Sequence, residues 1–217
     1  MTQTTNRVLI AVLSCHALRG YEQAIRDTWA KDVPPEVDLR FFLGLPDVSV
    51  GSDEVCLKVG DALDDLTQKT VALCAWSLAQ GYDYVFKVDL DTLVRPHLLL
   101  QSGFENWDYS GGQFGARGFA SGGAGYWMSK RAMSIVVAEV KEQEPWEDLY
   151  VSRALAKHGI EVHNNPQHKF MPDAVLDSQT IAMHLSSIKG WGAKSNPEDM
   201  YRMYKEKTTG RWLRRNK

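Results

Sequence analysis

FKVDLDTLV, residues 86–94, carries an apolar run that begins at Tyr84 and stops at two aspartates one residue apart. In an extended chain, residues i and i+2 point to the same side, so the carboxylates of Asp89 and Asp91 are expected to face one point. Two like charges at the edge of a core are costly unless something positive sits beside them. That partner is either a Lys or Arg side chain or a metal ion. Carboxylate oxygens suit a hard divalent ion, Mg²⁺ or Mn²⁺, of the kind that bridges protein to substrate phosphates, and an added imidazole would tilt the choice toward Mn²⁺. By itself an Asp-x-Asp is as readily a helix cap or a surface turn. Its place at the end of a buried strand, after Lys87 and before Thr92, argues for a site.

The flanking sequence supplies a strand–helix–strand–helix–strand frame. RVLIAVLSC (7–15) is short, apolar and β-rich, a buried strand. GYEQAIRDTWA (20–30) reads as a helix, Pro34-Pro35 breaks the chain, and VDLRFFLGL (37–45) is a second strand. Asp64 or Asp65 can cap a helix running to about Ala79, and YDYVFKVD (82–89) is the third strand. This alternation implies an α/β fold with a mostly parallel central sheet flanked by helices. Functional groups in such sheets gather at the C-terminal ends of the strands, where Ser14, Gly44, Asp89 and Asp91 all fall.

Farther along, Pro96 suits the first turn of a short helix, PHLLLQ. YSGGQFGARGFASGGAGY (109–126) is too glycine-rich for a helix and too apolar for a linker. Ser129 caps a helix, SKRAMSIVVAEVKEQ, and WEDLYVSRALAKHG is amphipathic and ends in Gly159. Strand-like pieces follow at 168–171 and 180–186, then a last helix at 196–207 with Pro197 in its first turn. Without an internal repeat, low-complexity segment or linker, residues 1–217 are expected to form one domain with a basic tail at about 208–217.

Composition narrows the class. Of 217 residues, 44% are hydrophobic and 24% charged, ordinary for a soluble globular protein. No apolar run approaches a membrane span, and Val8 to Cys15 is too short for a good signal peptide, so a cytoplasmic protein is expected. Cys15, Cys56 and Cys74 have no metal-type spacing, and Cys15 and Cys74 read as buried thiols, which argues against a disulfide scaffold. Net charge is −2, yet residues 201–217 hold seven Lys/Arg and one Glu. That stretch is either a solvated tail or a patch for a phosphate-rich acceptor or an anionic membrane surface.

Other candidates carry a bland reading beside a functional one. His184 is a core histidine or a metal ligand. His97 is a helix-start residue, and His163 and His168 lie in a polar loop. SGGAGY (121–126), with Gly122 and Gly123, is a tight turn or a backbone cradle for phosphate or sugar. Glu147 and Asp148 favour a helix dipole, or one of them is a general base. Trp146 beside them is core or a stacking surface for a sugar. Nothing suggests a Ser or Cys nucleophile.

Taken together, these motifs resemble the β-1,3-galactosyltransferase/Fringe-like group, glycosyltransferase family thirty-one, of the GT-A fold. AIRDTW (24–29), LTQKT (66–70), FKVDLDTLV, SGGAGYWMS (121–129) and EDLYV (147–151) follow that group's order and spacing across roughly 24–184. The resemblance implies a metal-dependent, inverting transfer of a sugar from a UDP-sugar. Asp91 would ligate the metal, with Asp89 next to the ion or ribose and His184 completing the site. Asp148 would be the base that deprotonates the acceptor hydroxyl, with Glu147 orienting acceptor or base. Ser14, Arg26 and Lys69 would lie near the nucleotide.

Three departures stand out. Leu90 replaces the middle Asp of the group's triplet, Asp65 replaces an Asn, and a protein without the membrane anchor and cysteine pattern of secretory members is expected. The expected acceptor is a saccharide or lipid-linked glycan precursor, or a hydroxymethylated base in DNA reached through the basic C-terminus with Arg117 and Lys130. A non-catalytic nucleotide-sugar or glycan-binding module of the same fold is the alternative that Leu90 keeps open. A nucleotidyltransferase is the third, since paired aspartates at a strand end also hold metals there.

Overall fold

The computed structural model describes residues 6–46, 51–115, 118–172, 174–186 and 195–209. The hydrophobic run after Arg7 forms β1 (Val8–Leu13), buried along its whole length. A strand covered on both faces must be apolar at every position. Val8, Ile10 and Val12 enter one core, and Leu9, Ala11 and Leu13 the other. On the first side the sheet is covered by α1 (Arg19–Asp27) and α6 (Pro197–Thr209), through Tyr21, Ile25, Met200 and Met203. On the second it is covered by α2 (Leu66–Ala79), α4 (Lys130–Glu139) and α5 (Glu147–Ala156), through Leu73, Met133, Val136, Val151 and Leu155.

Among the described residues the central sheet has seven strands. β2 (Asp38–Leu43), β3 (Glu54–Cys56) and β4 (Tyr84–Asp89) run parallel with β1 in the order β3-β2-β1-β4. β7 (Tyr126–Ser129) then pairs antiparallel with β4 and with β6 (Tyr109–Gly111), and β8 (His163–Asn164) closes the order beside β6. The expected mostly parallel α/β sheet is present. Leu13 sits opposite both Phe42 and Asp89, so β1, β2 and β4 end on one edge. A second sheet, in the order β5-β10-β9, is made of β5 (Thr92–Val94), β10 (Ala182–His184) and β9 (His168–Lys169).

Several sequence expectations need correction. The glycine-rich stretch contains β6 and leads into β7, neither of which has the length or alternation to announce itself. Gly111 is needed in β6 because a Cβ there would lie 2.9 Å from Tyr126 Cβ. The helix after Ser129 ends at Glu139 rather than Gln143, because Val140 turns to extended backbone. Ser129 does cap it, accepting from the Ala132 amide. Asp65 stands at the start of α2 but caps the 3-10 turn before it, accepting from Ala62 N at 3.1 Å. The strand-like pieces at 168–171 and 180–186 shrink to β9 and β10. His168 is buried rather than in a polar loop, and Cys15 is half-buried. No described helix is long and apolar enough to cross a membrane.

Candidate active site

The strand carrying FKVDLDTLV stops at Asp89, and Leu90 and Asp91 form a turn before β5. The extended-chain premise therefore fails after Asp89, and the two carboxylates take different partners. Asp89 Oδ1 meets Lys87 Nζ at 2.7 Å, the i,i+2 neighbour on its own face. Asp91 Oδ1 lies 3.2 Å from His184 Nε2, and its Oδ2 accepts from Ser195 Oγ at 3.1 Å. Of the positive partners expected from sequence, a Lys or Arg side chain or a metal ion, the lysine is present at Asp89, whereas Asp91 faces an imidazole.

The second sheet explains how His184 arrives. β10 pairs antiparallel with β5, placing His184 opposite Thr92, and Leu185 N donates to Asp91 O at 2.9 Å. The His184 Nδ1 edge is held by Ser186 Oγ, which leaves Nε2 facing Asp91. Burial pulls the His184 pKa down, but the hydrogen bond and charge of Asp91, with the charge of Asp89, outweigh it, and the net shift is upward. The AIRDTW motif buttresses this edge: buried Trp29 donates its indole N–H to Thr92 O at 3.1 Å.

The glycine-rich loop lies directly against these groups. A Cβ at Gly123 would sit 2.5 Å from His184 Cδ2, and one at Gly122 would sit 2.1 Å from Glu147 Oε1. Glycine is needed at both positions because side chains already occupy the space. The loop also transmits position. Gly123 O accepts from Thr92 Oγ1 at 2.6 Å, Gly122 O accepts from Lys87 Nζ at 3.2 Å, and Gly122 N donates to Asp148 Oδ2 at 3.2 Å.

Lys87 is the hub. It is fully buried and bridges Asp89 and Glu147. Desolvation alone would lower its pKa, but the two carboxylates raise it, so it stays charged. Glu147 is also buried and accepts from Tyr126 OH at 2.7 Å. Burial pushes its pKa up to about 7 against the pull of Lys87. Asp148, next on α5, is held by the Gly122 amide and by the Leu149 amide at 2.8 Å. Burial raises its pKa above the ordinary carboxylate range.

Asp148 also forms part of the wall of a cavity of about 680 Å³. Trp146, 63% exposed, stands at this cavity with Phe114, Phe119 and Leu149. The expected grouping of Trp146 with the acidic helix start is present, and Trp146 belongs to a surface rather than to a core.

Ser14, Lys69 and Arg26 belong to the neighbouring strand ends. Ser14 follows Leu13 and donates to buried Glu22 at 2.5 Å. Lys69 Nζ donates to Ser14 O and lies 2.8 Å from Asp61 Oδ1. Asp61 also accepts the amides of His16 and Gly44, each at 2.7 Å. Burial would raise the Asp61 pKa, but these donors hold it below the usual range. Arg26 meets this group through Glu22, the acceptor of Ser14. Its guanidinium lies 2.8 Å from both Asp53 Oδ2 and Glu54 Oε1, and 3.4 Å from Glu22.

Sequence reading gave no role to four residues that organise the site, although it noted Lys87 beside the motif. Lys87 had a usable signal, a charge inside a buried strand, since lysines are almost never buried unless paired. Asp61, Ser195 and Tyr126 had none, because each earns its place through chain crossings that no local pattern announces. Arg117 and residues 210–217 of the basic tail lie outside the described residues. Lys130 starts α4, its amide bonded to Asp83 O at 2.7 Å.

The donor set can be tested against a metal ion. Adjacent ligands at roughly 2.1 Å around an octahedral ion stand about 3 Å apart. At 3.2 Å, Asp91 Oδ1 and His184 Nε2 are hydrogen-bonded and close enough together to serve one ion. Among the described residues no group of three His, Cys, Asp or Glu side chains converges on one point. Two protein donors suit an ion that takes its remaining ligands from phosphates and water, and the imidazole favours Mn²⁺ over Mg²⁺.

No known family's sequence profile matches the chain, and no curated protein matches it either. Among solved structures it is similar to the galactosyltransferase LgtC in complex with donor and acceptor sugar analogs. The TM-score is 0.54 at 14% identity, covering 91% of this chain and 95% of that one. It is also similar to CMP:2-keto-3-deoxy-manno-octonic acid synthetase complexed with CTP, with TM-score 0.52 at 10% identity, covering 74% and 89%. The chain therefore has a GT-A-like α/β fold, shared with a glycosyltransferase and with a CTP-bound synthetase.

Proposed function

We propose that the chain is a metal-dependent, inverting glycosyltransferase that moves a hexose from a UDP-sugar to an acceptor hydroxyl. One observation carries the reading. Adjacent residues of the glycine turn meet the two groups separately: Gly122 N donates to the Asp148 carboxylate, and Gly123 packs against His184 of the Asp91–His184 pair. A displacement at a sugar carbon needs this division: charge neutralised at the leaving group, and a base at the attacking hydroxyl. The fold shared with LgtC supports the class. The β-1,3-galactosyltransferase/Fringe-like resemblance rests on the five motifs.

In this reading Asp91 and His184 hold Mn²⁺, or Mg²⁺ in its place. The ion supplies charge neutralisation at the diphosphate of the leaving UDP. Asp89, already paired with Lys87, faces the ribose side. Ser14 and Lys69, at the end of β1, border the nucleotide together with Asp61. Arg26 acts indirectly, by bracing the strand ends through Asp53, Glu54 and Glu22. Asp148 accepts the acceptor proton as the hydroxyl attacks, and its raised pKa makes it a better base than an ordinary aspartate. Glu147 fixes Asp148 through its place on α5, and the cavity beside Trp146 receives the acceptor.

The test is UDP release on mixing the purified chain with UDP-hexoses, Mn²⁺ and an acceptor panel. Release that requires acceptor and is lost in Asp148→Asn supports the proposal. Pyrophosphate release from CTP and a sugar acid would instead favour nucleotidyl transfer, the reading that the fold shared with the synthetase brings in. Equal properties in wild type and Asp148→Asn would favour a non-catalytic binding module.

A further inference from the structure

We infer that the acceptor carries its reactive hydroxyl on an aromatic ring system with an acidic substituent. The inference rests on the proposed role of Asp148 and concerns the cavity that this residue lines. About 680 Å³ is room for a drug-sized ligand. The apolar part of its wall is Phe114, Phe119, Trp146 and Leu149. Phe114 and Phe119 stack nearly parallel, their centroids 5.5 Å apart and planes 8° from each other. Trp146 is largely exposed, so a flat guest would cover its indole.

The polar part of the wall is small: Ser121, Asp148 and Arg153. Asp148 is already anchored by two backbone amides, and Ser121 Oγ accepts from Ala124 N at 3.4 Å. A hexose could lay a C–H face on the Trp146 indole, but it would bring several hydroxyls out of water against a wall with only three polar residues to meet them. An aromatic ring leaves no hydrogen bond unmade there and gains offset stacking. Arg153 adds the second element of recognition. It is exposed, stands 5.8 Å from the Tyr150 ring centroid, and makes no salt bridge among the described residues. A guanidinium in a cavity wall is a forked donor for a carboxylate, sulfate or phosphate.

The chemistry agrees with the base. An aryl hydroxyl gives up its proton more readily than a sugar hydroxyl, which suits a carboxylate acceptor. The proton passes to Asp148, the aryl oxygen bonds to C1 of the donor sugar, and the C1–O bond to the diphosphate breaks. The electron pair of that bond leaves with UDP.

The probe is 6-hydroxy-2-naphthoate, titrated into the full chain by calorimetry beside 2-naphthol and methyl β-lactoside, without nucleotide. Naphthoate is expected to bind at least tenfold more tightly than the lactoside. Trp146→Ala, at an exposed position, and Phe119→Ala, at a buried one, should each weaken naphthoate about tenfold. Arg153→Gln should bring naphthoate down to the affinity of 2-naphthol. Lactoside binding as tight as naphthoate, or naphthoate binding indifferent to Trp146→Ala, overturns the inference. Hexose transfer onto saccharides but not onto naphthoate also overturns it and leaves the transferase intact. Naphthoate binding in a chain that binds no UDP removes the transferase reading, and with it the acceptor role.

Discussion

Lys87 and Glu147, sixty residues apart in sequence, form an ion pair with both side chains buried. The same ammonium holds Asp89, so one cation serves the strand end on one side and the acidic helix on the other. Removing one partner of a buried pair strands the other's charge in the interior, at a cost of about 3–5 kcal/mol. Lys87→Met should lose about that much stability in urea denaturation. Adding Glu147→Gln should recover part of the loss, because one stranded charge is then gone. A Lys87→Met chain as stable as wild type would contradict the pairing.

Gly123→Ala tests the close approach of the loop. Its Cβ would fall 2.5 Å from the His184 ring, and overpacking of this kind costs about 1–3 kcal/mol. The expected outcome is a lower melting temperature together with weaker Mn²⁺ binding, since the imidazole must move. Gly115→Ala is the comparison: φ is +55° there, but no atom of the described residues lies within 4 Å of the added Cβ. It should be strained by its backbone alone and leave Mn²⁺ binding unchanged.

Ser195 reaches Asp91 from the far end of the chain, and Tyr21 OH lies 2.8 Å from the same Ser195 Oγ. Groups that orient a metal ligand typically change metal affinity 10- to 100-fold when removed. Ser195→Ala should therefore weaken Mn²⁺ by about tenfold in a calorimetric titration, with the fold intact by circular dichroism.

His168 sets an acid limit on stability. Its Nδ1 lies 3.0 Å from Gly125 O, and its Nε2 is buried without a hydrogen-bond partner among the described residues. Burial lowers its pKa to about 4, below the 6.5 of an ordinary histidine. The folded chain thus resists a proton that the unfolded chain accepts. The contribution is complete above about pH 6.5 and is lost as pH falls toward 4, an effect of about 3 kcal/mol. His168→Asn keeps a donor near the Gly125 carbonyl and cannot titrate in this window. Its stability should fall less between pH 7 and pH 4 than that of wild type, measured by urea denaturation at each pH.

Much of the frame was legible because it rests on local pattern. VLIAVL is apolar at every position, as a strand buried on both faces must be, and the DLD turn marks the end of a parallel strand. α1, α2 and α5 follow from periodicity and punctuation. β6 and β7 were not legible, since Gly111 and the short YWMS segment are shaped by contacts with each other rather than by propensity. The site was legible in its residue types and not in its connections. Nothing near residue 184 or 195 says that both meet Asp91: the pairing of β10 with β5 brings His184 there, and the packing of α6 on α1, with Tyr21 against Ser195, brings the other. The glycines were read as a tight turn or a cradle for ligand, and no local pattern showed that Gly122 and Gly123 also make way for Glu147 and His184.

The most direct test of the central claim is the melting temperature of the purified chain with UDP and Mn²⁺, together and separately. A ligand at a hundred times its Kd stabilises by about 2.7 kcal/mol, which a melting curve resolves. The account predicts a shift that requires both UDP and Mn²⁺ and disappears in Asp91→Asn. Absence of any shift with both present, or an equal shift in Asp91→Asn, would contradict it.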